Sequence, residues 1–495
     1  MSSDLPHRFR EALLAADYTH DRVVELLGEE AHRALERNQT VPARRRTGGG
    51  SPVETLVRLF LLQVVVPRSE AERALPGLVD PLAAEGLLAA SVGEVAARWD
   101  CRPYAVTAPD GTQRDHWLVA DLTPGMDGRP HRTTADHVLG VSAASTSLAQ
   151  LTLRHEVGSA LDLGTGCGVQ TLHLAAHADR VVATDVNARA LWATRFNVAL
   201  NDLPDGQVEV RDGSFFEPVR GEAFDLITTN PPFVISPATG EQLVYRDSGI
   251  PGDRVVEDLV RRAPSHLRAG GTCQVLANWA HVEGRGWDER LSEWLDADCD
   301  AFVVQREVLD PAAYVEVWIA DAGLVGEERD RRYDTWLSWF AEQRITGVGF
   351  GWVTLRTQGS GRRELLDWPW EVQQPVAPAI AEWFDAPPSV GPADRLVRRA
   401  DVQQESVGEP GAEDPATIVL RRTTGLRRAR QVDTATAAIV GACDGDLALG
   451  RIVAAVAELT GQDPALLARV VLPVLGELTR EGYLVRVPGA SGAAV

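Results

Sequence analysis

The sequence predicts an α/β protein built on a mostly parallel sheet, and three observations support this prediction. A glycine-rich loop follows an apolar segment at residues 160–168. Further apolar segments at residues 180–184, 208–210 and 224–228 each end in a polar residue or a proline loop. Helical periodicity separates these segments. Strands therefore alternate with helices, which is the order expected for parallel strands joined by crossover helices.

The first predicted strand runs into the glycine loop. Gly164, Gly166 and Gly168 follow the apolar residues 160–163, and a helical pattern comes next. This order is typical of the first turn of a Rossmann-like βαβ unit. The dinucleotide-binding pattern requires a further glycine where this chain has Val169. A pyrophosphate site is therefore disfavoured, and a nucleoside without phosphates fits better.

The second and third predicted strands end in carboxylates. Asp185 ends the second strand, 17 residues after Gly168, where an acidic residue suits the two hydroxyls of a ribose. Asp212 follows the third strand. Because ligands of open α/β sheets bind at the carboxyl ends of the strands, both carboxylates are expected to face the crevice of the glycine loop. Helix capping or simple solvent exposure is the alternative for both.

The fourth predicted strand delivers the sequence Asn-Pro-Pro-Phe at residues 230–233. Each proline restrains the residue before it to extended geometry and lacks an N–H donor. The side-chain oxygen of Asn230 and the carbonyl of Pro231 are therefore predicted to accept the two hydrogens of a planar NH2 group. Phe233 is predicted to stack on the plane that carries it. A stiff exit from the strand, without a binding role, is the alternative.

Taken together, these motifs make residues of about 135–358 resemble class I S-adenosylmethionine-dependent methyltransferases that carry Asn-Pro-Pro-aromatic. Release-factor glutamine N5-methyltransferases and small-subunit rRNA guanine-N2 methyltransferases are similar families. The resemblance implies a Rossmann-like seven-stranded sheet, S-adenosyl-L-methionine as cofactor, and no metal. The implied cofactor-binding residues are Asp162 beneath the methionine amino group, Gly164, Gly166 and Gly168 close to the cofactor, Asp185 on its ribose and Asp212 near its adenine. The implied catalytic residues are Asn230, Pro231 and Phe233.

The expected reaction is transfer of a methyl group to a conjugated NH2 nitrogen, on an RNA base or a protein amide. A macromolecular acceptor is favoured over a small molecule because the flanking regions are large. A formal net charge of −21 disfavours DNA. The alternatives are a small-molecule or peptide amine methyltransferase and a catalytically silent methyltransferase-like binding protein. The position of Val169 disfavours a nicotinamide dehydrogenase.

Later segments complete the predicted sheet. Strands are expected at residues 273–277, 301–308 and 348–356, the last antiparallel by the resemblance. A helix over residues 255–267 is expected to leave through a glycine exit at residues 267–271. Residues 309–345 hold two helical patterns rich in aromatic residues, which form either a substrate wall or core. Second-tier pocket candidates are Glu217, Tyr245, Arg246, Asp247 and Asp253.

Four domains are expected. They are a helical, winged-helix-like domain at residues 1–132 with a flexible linker at 44–50 and a hairpin at 100–122, the methyltransferase domain at 133–360, a linker or accessory segment at 361–430, and a winged-helix-like domain at 431–495. The sequence shows no signal peptide or membrane-spanning apolar segment, and its five scattered cysteines form no metal pattern, so a cytoplasmic protein is expected.

All 49 basic residues are arginine. Clusters at residues 44–46 and 421–430 are either RNA contacts or solvated surface.

Overall fold

The structure is a computed structural model that describes residues 4–108, 110–129, 133–238, 249–410 and 415–487. The chain divides into two compact units, Met1–Trp368 and Pro369–Val495. This division differs from the four predicted domains. The N-terminal region and the predicted methyltransferase domain belong to one unit, and the second unit begins well before residue 431.

The N-terminal region combines short helices with short antiparallel strands. Its elements are α1 (Leu5–Ala15), α2 (His20–Leu35), α3 (Val41–Arg46), α4 (Pro52–Leu56), β1 (Val66–Pro67), α5 (Arg68–Ala74), α6 (Val79–Ala84), β2 (Leu88–Ala90), β3 (Glu94–Ala97), β4 (Trp99–Thr107) and β5 (Gln113–Asp121). A π-helical turn, Val57–Leu61, continues α4. Strands β1, β3 and β2 pair in that order, and β4 pairs with β5.

The predicted hairpin at residues 100–122 is confirmed by the pairing of β4 with β5, although Pro109 in its turn lies outside the described residues. The flexible linker predicted at residues 44–50 is wrong in its first half, because residues 44–46 complete α3. This helix begins beside a proline and buries Ala43.

The central sheet and its helices follow in the same unit. They are α7 (Ala143–Leu151), β6 (Val157–Leu163), α8 (Val169–Ala175), β7 (Ala178–Asp185), α9 (Ala188–Leu200), β8 (Val208–Asp212), β9 (Phe224–Thr229), α10 (Arg254–Arg262), β10 (Leu267–Val282), α11 (Trp287–Ser292), β11 (Asp300–Leu309), α12 (Pro311–Asp321), α13 (Gly326–Glu342), β12 (Ile345–Arg356) and β13 (Arg363–Asp367). Short 3-10 turns are formed by Met126–Gly128, Glu217–Val219 and Ala263–His266.

The sheet has the order β13-β11-β12-β10-β9-β6-β7-β8. Neighbours from β8 to β10 are parallel, and β12 is antiparallel to both of its neighbours. The α/β class and the antiparallel seventh strand are thus confirmed, and β13 adds an edge strand that was not predicted. The chain winds from β6 toward one edge and returns to β9 toward the other. This reversal opens a crevice at the carboxyl ends of β6 and β9.

The prediction that a helix ends at the glycines of residues 267–271 is wrong. The helix stops at Arg262, and Leu267 already pairs with Phe224 of β9. The register shifts before Thr272 pairs with Leu226, so Gly270, at φ +74°, lies in an irregular stretch of β10. Glycine here permits a bulge inside a strand.

The N-terminal region shares one hydrophobic core with the sheet. Phe9 and Phe60 pack in the same cluster as Trp117 of β5 and as Leu172 and Phe196 of helices α8 and α9. The predicted boundary at residue 132 does not separate two cores, because the helices that flank the glycine loop complete the N-terminal core. The winged-helix prediction for this region stays a prediction.

The second unit is structured from its start. Its elements are α14 (Ala377–Asp385), β14 (Leu396–Arg398), β15 (Val402–Val407), β16 (Thr417–Arg422), β17 (Ala429–Val432), α15 (Thr434–Gly441), α16 (Leu449–Thr460), α17 (Pro464–Arg480) and β18 (Leu484–Arg486). Strands β15, β16 and β17 are antiparallel, and β14 pairs with β18. Residues 361–430 are predicted as a linker or an accessory segment, and the accessory alternative is favoured because Leu396, Val402 and Leu420 belong to the core of this unit. The winged-helix prediction for residues 431–495 remains untested.

Across the described ranges, no helix is both long and apolar enough to cross a membrane. The same residues contain no group of His, Cys, Asp or Glu side chains arranged to hold a metal ion.

Candidate functional site

A cleft of about 780 Å³ lies at the carboxyl ends of β6, β7 and β9, at the crevice created by the reversal of winding. Its volume is in the range of sites for small organic ligands. Parts of five segments line it: residues 135–145, 162–170, 184–190, 213–215 and 229–233. The structure therefore brings the glycine loop, Asp185 and the Asn-Pro-Pro-Phe loop together.

The glycine loop is held in a conformation that other residues rarely adopt. Gly164, Gly166 and Gly168 have φ of +78°, +57° and +86°. The N–H groups of Gly164 and Thr165 both donate to the carbonyl of Thr184, at 2.9 Å, which ties the loop to β7. A Cβ at Gly164 or Gly166 would meet no atom within 4 Å. These two glycines therefore leave open space for a ligand.

Gly168 has a packing role beside the one the resemblance implies. A Cβ at this position would lie 3.3 Å from Cγ2 of Thr194 on α9. Gly168 does not line the cleft. Its lack of a side chain allows α9 to pack against the loop, and its approach to a cofactor stays a prediction.

Asp162, at the end of β6, is a buried carboxylate in the cleft wall. Its Oδ2 accepts hydrogen bonds from the hydroxyls of Thr165, at 2.7 Å, and Thr171, at 2.6 Å. Burial raises the pKa of Asp162 to about 6, because the effect of desolvation outweighs that of the two hydroxyl donors. A cation entering the cleft would favour the ionised form.

Asp185 ends β7 and accepts two backbone hydrogen bonds. Its Oδ2 accepts from the N–H of Gly166 and its Oδ1 from the N–H of Asn187, both at 2.9 Å. Burial raises the pKa of Asp185, and these backbone donors oppose the increase. The carboxylate is thereby fixed at the cleft, where its remaining acceptor positions suit a diol.

Asp212 is not placed in the cleft. It pairs in register with Asp185 but is exposed at the end of the edge strand β8. The wall here is formed instead by residues 213–215. Phe215 has φ +45°, which is unusual for an aromatic residue. A Cβ at Gly213 would lie 2.5 Å from Cγ of Pro218. The glycine after Asp212 was the available signal for this sharp turn.

Asn230 leaves β9 directly into the cleft wall. Its side-chain Oδ1 is buried and has no hydrogen-bond partner within the described ranges. Pro231 is buried, and Phe233 is partly buried with its ring centroid 6.4 Å from that of Trp318. A buried acceptor without a donor costs about 1–3 kcal/mol. An N–H group from a ligand would remove this cost.

The aromatic residues of α12 and α13 are core and do not line the cleft. Tyr314, Trp318, Trp336 and Phe340 are all buried in one cluster. The Tyr314 hydroxyl accepts a hydrogen bond of 2.8 Å from the N–H of Ile235, just after the Asn-Pro-Pro-Phe loop. The insertion therefore supports this loop from behind, which favours the interpretation as core, and the interpretation as a substrate wall stays a prediction.

The two second-tier candidates that the structure describes, Asp253 and Glu217, do not line the cleft. Asp253 is buried and forms a bidentate ion pair with Arg290, at 2.5 and 2.6 Å, and it accepts from the N–H of Ala280. These contacts give it a structural role. Glu217 is exposed and does not line the cleft. Tyr245, Arg246 and Asp247 lie outside the described residues.

Comparison with family models divides the chain into three matched segments. Residues 140–285 match the methyltransferase small domain. Residues 15–98 match the domain of unknown function DUF7059, and residues 380–486 match the domain of unknown function DUF7782.

Curated relatives match the central segment. The ribosomal RNA small subunit methyltransferase C of Salmonella arizonae is 34% identical over 163 residues, which is 32% of this chain and 40% of that protein. The protein of the same name from Salmonella newport is 33% identical over 141 residues, 28% of this chain and 36% of that protein. The chain thus spans less than half the length of these curated relatives.

Solved structures with partial similarity include an rRNA methylase from Streptococcus thermophilus, at 14% identity over 44% of this chain and 99% of that chain, with a TM-score of 0.25. Another is the M. jannaschii tRNA m1G37 methyltransferase, at 11% identity over 52% of this chain and 57% of that chain, with a TM-score of 0.28. Every residue predicted for the cofactor and acceptor sites lies within the segment that matches the methyltransferase small domain.

Proposed function

We propose that this protein transfers a methyl group from S-adenosyl-L-methionine to a planar NH2 nitrogen of an RNA base. The observation that carries the proposal is the buried Oδ1 of Asn230, which has no donor among the described residues and stands at a cleft suited to a nucleoside. The match to the methyltransferase small domain supports the reaction, and the similarity to ribosomal RNA small subunit methyltransferase C supports RNA as acceptor.

The residues of the cleft fit this cofactor. Open space at Gly164 and Gly166 admits its amino-acid part, and the buried carboxylate of Asp162 suits its ammonium group. Asp185 retains acceptor capacity for the ribose hydroxyls. When bound, the cofactor supplies an electrophilic methyl group on a positively charged sulfur.

The Asn-Pro-Pro-Phe loop orients the acceptor nitrogen. Oδ1 of Asn230 and the carbonyl of Pro231 accept its two N–H groups and turn its lone pair toward the methyl group. These dipoles also stabilise the positive charge that develops on the nitrogen, and they need no reorganisation because the prolines and the buried position hold them. Phe233 supports the base plane. The extra proton leaves the nitrogen after transfer, so no strong base is needed.

The test is a methylation assay with radiolabelled cofactor and two acceptor pools, ribosomal RNA and total protein, from cells that lack the gene. Label that nuclease releases and protease does not supports an RNA base as acceptor. Label released by protease alone contradicts that part of the proposal. A complete lack of cofactor binding in calorimetry contradicts the whole proposal.

Asn230→Ala tests the acceptor clamp. Removing a preorganised polar group of this kind lowers turnover by about 100-fold or more. We expect that loss, with cofactor affinity changed by less than about twofold because Asp162 and Asp185 remain. Asn230→Asp, which keeps an oxygen acceptor, should retain more activity than the alanine variant. Normal turnover by Asn230→Ala would contradict the mechanism.

A further inference from the structure

Residues 133–142, here called the strap, run along the rim of the cleft before α7. Residues 135–140 all line the cleft. Val138 anchors the strap, because its side chain is 1% exposed in the core shared by the N-terminal region and the sheet. Its backbone also forms a reciprocal pair with the end of β5: the N–H of Val138 donates to Oδ2 of Asp121 at 2.8 Å, and the N–H of Asp121 donates to the carbonyl of Val138 at 3.0 Å.

Arg189 of α9 joins this anchor to the outer part of the strap. Its guanidinium pairs with the carboxylate of Asp121, and its Nε lies 3.4 Å from Oδ2 of Asp136. The same guanidinium lies over the ring of Trp99, 4.6 Å from the ring centroid. The end of β5, the strap and the start of α9 therefore form one polar network.

Asn187 connects this network to the cofactor side of the cleft. Its Nδ2 donates to the carbonyl of Asp136 at 2.8 Å, while its Oδ1 caps α9 by accepting the N–H of Arg189 at 2.9 Å. Its own N–H donates to Asp185, whose other oxygen accepts from Gly166. One side chain thus joins the strap to the helix that follows the ribose-facing carboxylate.

We propose that Asn187 is a positioning residue that fastens the strap over the cofactor cleft, and that the cofactor enters and leaves when this attachment opens. The inference rests on the proposed function, because it takes S-adenosyl-L-methionine as the occupant. Asp136 is exposed, so its pairing with Arg189 contributes little on its own. The hydrogen bond from Asn187 is one attachment of the outer strap, beside that ion pair and the contact of His137 Nδ1 with Oδ2 of Asp121 at 3.6 Å, and the buried Val138 acts as its hinge.

The test uses the full chain and stopped-flow measurement of S-adenosyl-L-homocysteine association and release. Asn187→Ser and Asn187→Asp both keep a residue favoured at the start of a helix and lose the donor to Asp136. Loss of one hydrogen bond of about 1 kcal/mol corresponds to roughly a fivefold change in rate. We expect release to be about fivefold faster, with faster association as well. A weakened helix alone would speed release and leave association unchanged, and that pattern would overturn the inference.

The matched control is Arg195→Ala, on the same helix and outside the network, which should leave both rates unchanged. Hydrogen exchange without ligand gives a second measurement. In Asn187→Ser, amides of residues 135–137 should exchange about fivefold faster than in the unaltered protein, while the buried pair at Val138 keeps its protection. If the unaltered protein does not bind the cofactor, the proposed function fails. Hydrogen exchange of residues 135–137 then still shows whether Asn187 holds the strap. If it binds normally and neither the rates nor the exchange respond, the inference is wrong.

Discussion

Asp162 and Asn230 are two residues of the cleft wall whose buried polar groups are incompletely compensated. Asp162 is a buried carboxylate whose donors are the hydroxyls of Thr165 and Thr171 and the N–H of Thr171, and Oδ1 of Asn230 is a buried acceptor with no donor among the described residues. Both arrangements cost free energy in the empty protein. A ligand that carries a cation toward Asp162 and N–H groups toward Asn230 removes both costs. Binding specificity thus originates in groups that the fold leaves incompletely satisfied.

Asp162 makes the stability of the empty protein depend on pH. Because burial raises its pKa from 3.8 to about 6, the folded protein binds a proton over that interval that the unfolded chain releases. The free energy of unfolding is therefore highest, as far as Asp162 is concerned, below about pH 4, and this stability is lost as pH rises through about 6. The shift corresponds to roughly 3 kcal/mol. Asp162→Asn should therefore gain stability, relative to the unaltered protein, by up to about 3 kcal/mol between pH 4 and pH 8.

Urea unfolding at a series of pH values measures this difference. Thr171→Val, which removes one hydroxyl donor and keeps the carboxylate, should preserve or strengthen the pH dependence. A difference between Asp162→Asn and the unaltered protein that stays constant from pH 4 to pH 8 would contradict the prediction.

The sequence predicted some residues of the cleft wall correctly and others incorrectly. The positions of Asp162, Asp185 and Asn230 in the cleft wall could be predicted, because they end strands on one side of the sheet. Asp212 also ends a strand, yet it lies exposed at the sheet edge, and residues 213–215 form the wall. A strand end determines the edge at which a residue lies. The direction of its side chain depends on the turn that follows.

At the scale of elements, α9 serves as the edge partner of β5. Asn197 accepts from the N–H of Val119 at 2.8 Å and donates to the carbonyls of Val119, at 2.9 Å, and Cys167, at 2.8 Å. One turn later, Asn201 makes the same exchange with the backbone of Trp117. Two asparagines on a helix thus satisfy a strand edge and tie it to the glycine loop.

Asn197→Ala should lower the free energy of unfolding by about 3 kcal/mol, because it leaves a buried N–H and two carbonyls without their partner. Chemical denaturation monitored by tryptophan fluorescence measures the change. Arg195→Ala, an exposed position on the same helix, is the control and should change stability by no more than about 0.5 kcal/mol. Equal effects of the two substitutions would contradict this role of Asn197.

The two arginine clusters differ in their surroundings. In the second unit, Arg421 pairs with Glu405, and Arg427 pairs with Glu371. On α3, Arg44 and Arg45 are exposed and pair with no carboxylate in the described part of the chain. Helix α3 therefore offers exposed positive charge, which the nearby Asp127 offsets in part at Arg44, in a protein of net charge −21.

If the acceptor is RNA, the double variant Arg44→Ala and Arg45→Ala should raise the KM for RNA and weaken its dependence on salt, because fewer phosphate contacts release fewer counterions. Methylation rates at several salt concentrations test this. Arg421→Ala, which removes a paired arginine, is the matched control. An unchanged salt dependence in the double variant would contradict a phosphate-binding role for α3.

At the scale of the whole molecule, the unit boundary predicts which fragments fold. Residues 1–368 and residues 369–495 should each unfold cooperatively when produced alone, because each unit contains its own core. A fragment of residues 133–368 should not, because it exposes the faces of α8 and α9 that complete the N-terminal core. Circular dichroism and limited proteolysis of the three fragments measure this. A stable fragment 133–368 that binds the cofactor would contradict the shared core.

The sequence by itself determined the parallel part of the sheet, its alternation of strands and helices, and the strand ends at Asp162, Asp185 and Asn230 that meet at the cleft. These features follow from local periodicity and from the rule that parallel strands end at one edge. The tertiary structure alone decided that the N-terminal region is part of the same core and that the strap closes one side of the cleft. It also decided that the described residues between 369 and 430 are folded. These features rest on contacts between residues far apart in the chain, and local composition does not record such contacts.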